Sequence, residues 1–167
     1  IGCGPYRVKF SSRRVLNLLM PFAGIESERA GDVFRVLDKL EKIGIEKVRK
    51  ELTTGYKDES GDTIEGVGLQ PEQVGRIEKF LSIQRGTRED ILSGVQEVFA
   101  SVSGSAEAIG ELSRISHHLA ALGYKEDRAV IDLSIARGLA YYTGPVFEAV
   151  LLDAPEFGSV FVGGRYD

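Results

Sequence analysis

The run ARGLAYYTGPVFEAV, residues 136–150, holds the residues of this chain whose types and spacing could do chemistry. Strand-like sequence stops there for Arg137, Gly138, Tyr141, Tyr142 and Gly144, then resumes. A guanidinium at a strand end is always charged and can grip a phosphate or carboxylate with two parallel hydrogen bonds. A surface ion pair is the plainer use of Arg137. Adjacent tyrosines in a strand face opposite sides, so at most one of Tyr141 and Tyr142 lines a given pocket. A buried tyrosine needs a partner for its hydroxyl, and a ligand or ordinary packing can supply it. Gly138 and Gly144 bracket the pair and permit unusual backbone angles or the close approach of a ligand. A second glycine pair, Gly163 and Gly164, precedes Arg165 and Tyr166. A glycine pair leaving a strand forms a bulge or leaves room above a sheet.

Other chemistry finds less support. His117 and His118 are neighbours in a helical pattern and do not share a face. No Cys or His stands at metal-ligand spacing, so no metal site is expected. Asp132 and Glu148 could form a carboxylate pair, but ion pairing or a polar sheet face is the reading favoured for them. Neither common glycine-rich nucleotide loop occurs, nor a serine nucleophile elbow. Cys3 is the single cysteine, which excludes an internal disulfide and fits a reducing, cytoplasmic compartment.

The elements that must position these residues follow from periodicity. YRVKF, residues 6–10, alternates as a strand, and RRVLNLLM follows with helical spacing that should end at Pro21. Helical patterns then run to about residue 125. Val33, Phe34, Leu37, Leu40 and Ile43 form one stripe that Gly44 should cap, and IEKVRKEL reads as a short helix. TTGYKDESGDTIEGVG reads as a long loop. Pro71 opens a helix with the stripe Val74, Ile77 and Leu81. Thr87 and Asp90 resemble a capping box. Ser105 should cap a last helix striped by Ile109, Leu112, Ile115, Leu119 and Leu122 and closed by Gly123. Beyond it AVIDLSI, PVFEAVLL and SVFVGG alternate as strands.

A helical block between strands predicts an α+β fold in which residues 1–25 and 126–167 share one antiparallel sheet. Residues 26–125 would be a helical insertion packed mostly on itself. With 167 residues, 43% hydrophobic and 28% charged, the chain is globular in composition. Its net charge of -4 excludes general basic binding to nucleic acid, apart from Arg7, Lys9, Arg13 and Arg14 near the start. No apolar run is long enough for a membrane span, and the ends, without Met and directly after VGGRYD, read as a fragment of a longer protein.

Two of these segments carry a resemblance. ARGLAYYTGPVFEAV resembles the histidine-specific signature of histidyl-tRNA synthetases, and VGGRYD resembles that family's second histidine-pocket segment. YRVKFSSRRVLNLLMPFAGI is similar to the strand and helix after the second class II motif. The flanks of the signature look more like the eukaryotic branch. The resemblance implies part of a class II antiparallel sheet with an insertion domain. It implies an ATP-dependent ligase that makes histidyl-adenylate from histidine and ATP, with Mg, and passes histidine to tRNA(His). Arg137 would then contact the α-phosphate of ATP. Tyr141 and Tyr142 would line the histidine pocket and Gly163 and Gly164 its floor, with Gly138, Thr143, Gly144, Arg165 and Tyr166 nearby. The insertion would lean toward the tRNA acceptor stem, and the whole protein would be a homodimer. Ala140 departs from the family, which has Asp there. The other class II motifs and the anticodon-binding domain lie outside the chain, so it is expected to be inactive alone. The alternative is a non-catalytic, histidine-sensing regulatory subunit of ATP phosphoribosyltransferase, to which an arginine on the ATP phosphate would be of no use.

Overall fold

A computed structural model describes residues 4–83, 86–136 and 142–166. Arg137, Gly138, Ala140 and Tyr141 lie outside the described residues, as does Cys3. Strand β1 is Tyr6–Ser12, and the Ser12 hydroxyl accepts the Arg14 N–H at 3.2 Å to start helix α1, Arg13–Asn17. Helix α2, Leu19–Ala23, runs through Pro21 instead of ending there. Pro21 is the third residue of α2, inside the first turn, where a missing N–H leaves no bond unmade. Gly24, at φ 68°, closes it.

Helix α3 is Ala30–Leu37 and α4 is Leu40–Leu52. The expected single stripe is broken between them, so Val33, Phe34 and Leu37 are buried while Leu40 and Ile43 are only partly so. Gly44 leaves helical geometry, with φ 77° and ψ 165°, where a stop was expected; IEKVRKEL continues directly beyond it. The stretch read as a loop instead contains a hairpin, β2 (Gly55–Lys57) paired antiparallel with β3 (Thr63–Glu65). Its polar residues encode the turn. The Asp58 carboxylate accepts the N–H groups of Ser60 and Asp62 at 3.0 and 2.9 Å. The Ser60 hydroxyl, donating to the same carboxylate at 2.7 Å, and then these N–H bonds hold the Asp58 carboxyl below its usual range. Gly55 and Gly66 press together, and a Cβ on either would lie 2.1 Å from a backbone oxygen.

Helix α5, Pro71–Leu81, begins at Pro71 and buries Val74, Ile77, Phe80 and Leu81. Helix α6, Arg88–Val98, opens on the expected box: Thr87 N–H reaches Asp90 Oδ2 at 2.8 Å and Asp90 N–H returns to Thr87 Oγ1 at 3.2 Å. Helix α7, Ser105–Ala121, is preceded by Gly104 at φ 79°, so Ser105 is its first residue and not its cap. Ile109 and Leu112 are buried, but Leu122 falls past the last turn and is 73% exposed. Gly123 ends the helix as expected, its N–H bonding Ala120 O at 2.9 Å.

Strand β4 is only Ala129–Ile131; β5 is Pro145–Leu151 and β6 is Ser159–Gly164. The four lie in the order β4-β1-β5-β6. The expected all-antiparallel sheet is mixed: β1 pairs antiparallel with β5, and β5 with β6, but β4 runs parallel to β1. The helices between β1 and β4 form a long crossover, which returns the chain in the same direction. One continuous core joins Phe10, Ile131 and Leu133 to the helices, and its largest fully buried side chains include Phe34, Phe80 and Phe99.

Phe99 touches Phe22 and Phe80, each at 5.4 Å between ring centres, and is fully buried. Phe99→Ala is expected to destabilise the chain by about 3–5 kcal/mol, the usual range for emptying an aromatic core site. Urea unfolding followed by circular dichroism measures it, and a loss under about 1 kcal/mol would contradict this packing.

Candidate functional site

Antiparallel pairing brings the two glycine motifs to the same end of the sheet. The motif before β5 enters where the motif after β6 leaves. Their backbones remain joined beyond the strands, with Arg165 N–H to Pro145 O at 2.8 Å and Thr143 N–H to Arg165 O at 3.0 Å. Gly164 sits across from Val146, which sits across from Ser11. Residues paired in this way share a face. Gly163, across from Phe147, therefore faces the other side.

Each glycine leaves space that a neighbour fills. A Cβ on Gly164 would lie 2.7 Å from Tyr142 Cγ, so the Tyr142 ring rests on bare backbone. A Cβ on Gly163 would lie 2.7 Å from the Phe147 ring, which stacks on Phe161 at 5.9 Å. At Gly144 the neighbour is the Arg165 guanidinium, with Cζ 2.7 Å from a built Cβ. Thr143 and Tyr166 are exposed.

The guanidinium of Arg165 is aimed by a carboxylate from the helical region. Arg165 Nη1 donates to Glu111 Oε1 at 3.0 Å, and the Ser12 hydroxyl donates to Glu111 Oε2 at 2.7 Å. Glu111 is 8% exposed and lies on α7. Sequence reasoning missed it, although the signal was present: Glu111 falls three residues after Ala108 and four before Ile115, inside the apolar stripe. An acid in such a stripe calls for a buried cation or hydroxyl.

A second polar cluster lies on the face that carries Gly164. Lys9 Nζ meets Asp132 Oδ2 at 3.2 Å and also bonds the Glu41 carboxylate. Burial works to lower the Lys9 pKa, but the bond to Glu41 and the charges of Asp132 and Glu41 outweigh it, and the net shift is upward. Asp132 lies just past β4 and not within it. Its Oδ1 accepts the Ser134 N–H at 3.0 Å and hydroxyl at 2.6 Å, which makes a turn at residues 132–134. Glu148, across from Lys9, is buried and accepts the Ser159 hydroxyl. The ion-pair reading of Asp132 therefore stands over a carboxylate dyad. Arg13 supplies its N–H to Gly144 O at 2.8 Å and lays its guanidinium over Phe34, 4.6 Å from the ring centre. Burial lowers its pKa. The exposed rings of His117 and His118 are 6.2 Å apart. Among the described residues no three His, Cys, Asp or Glu side chains group so as to hold a metal.

A family model described as histidyl-tRNA synthetase matches residues 1–167. The chain belongs to that family. A histidine–tRNA ligase of Paracoccus denitrificans is 45% identical over 98% of this chain, which corresponds to 35% of the ligase's length. The histidyl-tRNA synthetase from Nostoc sp. PCC 7120 superposes with a TM-score of 0.84 at 31% identity, over 100% of this chain and 36% of that one. An ATP phosphoribosyltransferase regulatory subunit/histidyl-tRNA synthetase from Bacillus halodurans C gives a TM-score of 0.72 at 24% identity, over 99% of this chain and 38% of that one, a likeness of fold alone. The chain thus spans about 35% of the length of the relatives it matches.

Two outcomes test this geometry. Gly164→Ala should push the Tyr142 ring off the sheet at a cost of about 1–3 kcal/mol, as overpacking does. It should shift the Tyr142 ring resonances while leaving those of Phe147 in place; unchanged Tyr142 signals would contradict the contact. Lys9→Ala should cost about 2 kcal/mol, below the ~3–5 of a fully buried pair because water reaches the ammonium. Its folded pKa lies above the unfolded one, so the Lys9 contribution is complete below the unfolded value near ~10.4 and fades as pH rises through the folded value. The difference in unfolding free energy between wild type and variant should therefore be flat from pH 6 to 9, and a loss within that window would count against it.

Proposed function

We propose that this chain forms part of a histidine–tRNA ligase, supplying one wall of its histidine pocket and a cation for the α-phosphate of ATP. The contact between Tyr142 and Gly164 carries the reading. Two motifs about twenty residues apart in sequence meet at one sheet end, where an aromatic ring seated on glycine backbone can offer its other face to a small planar side chain.

In the first step the histidine carboxylate attacks the α-phosphorus of ATP, which enters as substrate with its Mg. The bond to pyrophosphate breaks and histidyl-adenylate forms. Arg137 is assigned to the α-phosphate, where a fixed guanidinium offsets the negative charge that builds as the bond forms. Tyr141 and Tyr142 are assigned to the histidine pocket, one of them reaching the imidazole, with Gly163 and Gly164 as its floor. Gly138, Thr143, Gly144, Arg165 and Tyr166 support these positions. In the second step a ribose hydroxyl at the end of tRNA(His) attacks the adenylate carbonyl and releases AMP. Residues 1–25 and 126–167 are read as catalytic core, and residues 26–125 as an insertion leaning toward the acceptor stem. The whole protein is read as a cytoplasmic homodimer. Ala140, where the family has Asp, removes a carboxylate from the edge of the pocket.

Histidine-dependent ATP–pyrophosphate exchange tests the proposal in the full-length protein that carries this segment. Arg137→Ala should lower kcat by about 10²–10³, the effect of removing one preplaced donor to developing charge. The 167-residue chain by itself should give no exchange. Histidine binding without exchange in the full-length protein would replace this reading with the regulatory one.

A further inference from the structure

We infer that Glu111 is a positioning residue for the histidine pocket, acting through Arg165 from outside both signature motifs. The inference rests on the ligase reading above.

Glu111 is buried on α7 with both carboxylate oxygens engaged, one by Arg165 Nη1 at 3.0 Å and one by the Ser12 hydroxyl at 2.7 Å. Ser12 uses its hydroxyl twice, since it also accepts the Arg14 N–H that starts α1. The carboxylate therefore ties three segments together: the end of β1, the middle of α7 and the segment leaving β6. Arg165 carries that hold into the motifs. Its guanidinium covers Gly144, its N–H bonds Pro145 O, and its carbonyl accepts Thr143 N–H. Thr143 and Gly144 directly follow Tyr142, and Gly164 directly precedes Arg165. The ring and the glycine it rests on are each one peptide unit from the clasp.

The bond is charge-assisted, between a buried Glu111 carboxylate and an Arg165 side chain that is 40% exposed, so solvent screens it in part while it still fixes direction as well as distance. Without Glu111 the half-exposed Arg165 guanidinium would lose the carboxylate that holds it over Gly144. Its backbone, paired on both sides with the segment 143–145, would loosen the seat of Tyr142. Nothing in this chain of contacts reaches the α-phosphate directly. The effect should therefore fall on histidine and spare ATP, which a general loss of folding would not do.

The test is steady-state ATP–pyrophosphate exchange in the full-length protein with Glu111→Ala, Glu111→Gln and, as control on the same helix, Glu107→Ala. Glu107 is exposed and pairs only with Arg14 among the described residues. Glu111→Ala should raise KM for histidine about tenfold, and Glu111→Gln about threefold because the amide keeps the shape and loses the charge, with KM for ATP held within about twofold. Glu107→Ala should match wild type. Unchanged KM for histidine in Glu111→Ala, or an equal rise for histidine and ATP, overturns the inference. If Glu111→Ala does not fold, Glu111→Gln decides alone, and a wild-type KM for histidine there overturns it. Wild-type protein that gives no exchange defeats the ligase reading and this inference with it, whereas active wild type with unaffected Glu111 variants defeats this inference only.

Discussion

The register between β5 and β6 is the constraint on which the site depends. With Val146 across from Gly164 and Phe147 across from Gly163, the two glycines meet different rings on different faces. A slip of one residue would exchange the faces of every side chain on β6. Tyr142 would then meet the glycine that now accepts Phe147. The register is held by contacts away from the glycines. Phe147 stacks on Phe161, Glu148 bonds Ser159, and a pairing irregularity at Ala149 and Val150 sets the offset beyond them. Aromatic pairs and bulges are the usual devices that pin a strand against its neighbour.

Small residues at a site remove side-chain volume, and they also remove the packing that would keep the backbone in place. Three glycines sit within a few residues of one another at the end of this sheet, so the backbone there must be held from outside. Glu111 does this from the helical side by way of Arg165, while on the opposite face Lys9 pairs with Asp132, which braces the Ser134 turn. Both anchors are charged groups placed where water is scarce. A buried carboxylate is costly unless its oxygens are satisfied, and here each oxygen of Glu111 has a donor. That requirement gives the clasp its directional specificity, since no apolar substitute would hold a guanidinium over Gly144.

What could be read from the sequence was local. Thr87 with Asp90, Pro71, Gly44 and Gly123 stand where their backbone chemistry says they should, because caps and left-handed turns involve residues only a few positions apart. The β2–β3 hairpin was hidden because its three-residue strands are too short to alternate, and the segment just after it is tied to the end of α4: Val67 N–H to Glu51 O at 2.7 Å and Leu69 N–H to Leu52 O at 2.9 Å. The direction of β4 was hidden because alternation says that a segment is a strand and not which way it runs. The meeting of the two glycine motifs was legible as an expectation. The clasp behind them was legible only in half: Glu111 inside an apolar stripe calls for a buried partner, but which cation answers it depends on where the fold puts Arg165.

The helices between β1 and β4 are therefore more than an excursion from the sheet. Phe10, Ile131 and Leu133 share one core with Phe34, Phe80 and Phe99, and α7 rests on β1 and α1. Close-packed interiors transmit displacement instead of absorbing it. A shift of α7 along its axis would move Glu111 and, with it, the guanidinium over Gly144. Arg14 pairs with Glu107 one turn earlier on the same helix, which ties α1 to α7 at a second, exposed point. The exposed pair contributes little to stability, because solvent screens it. The Glu111–Arg165 pair, buried on the glutamate side, bears on where the helix stands relative to the sheet end. In this arrangement the geometry of the Tyr142 seat and the placement of the helical block are one mechanical variable, read out through a single carboxylate.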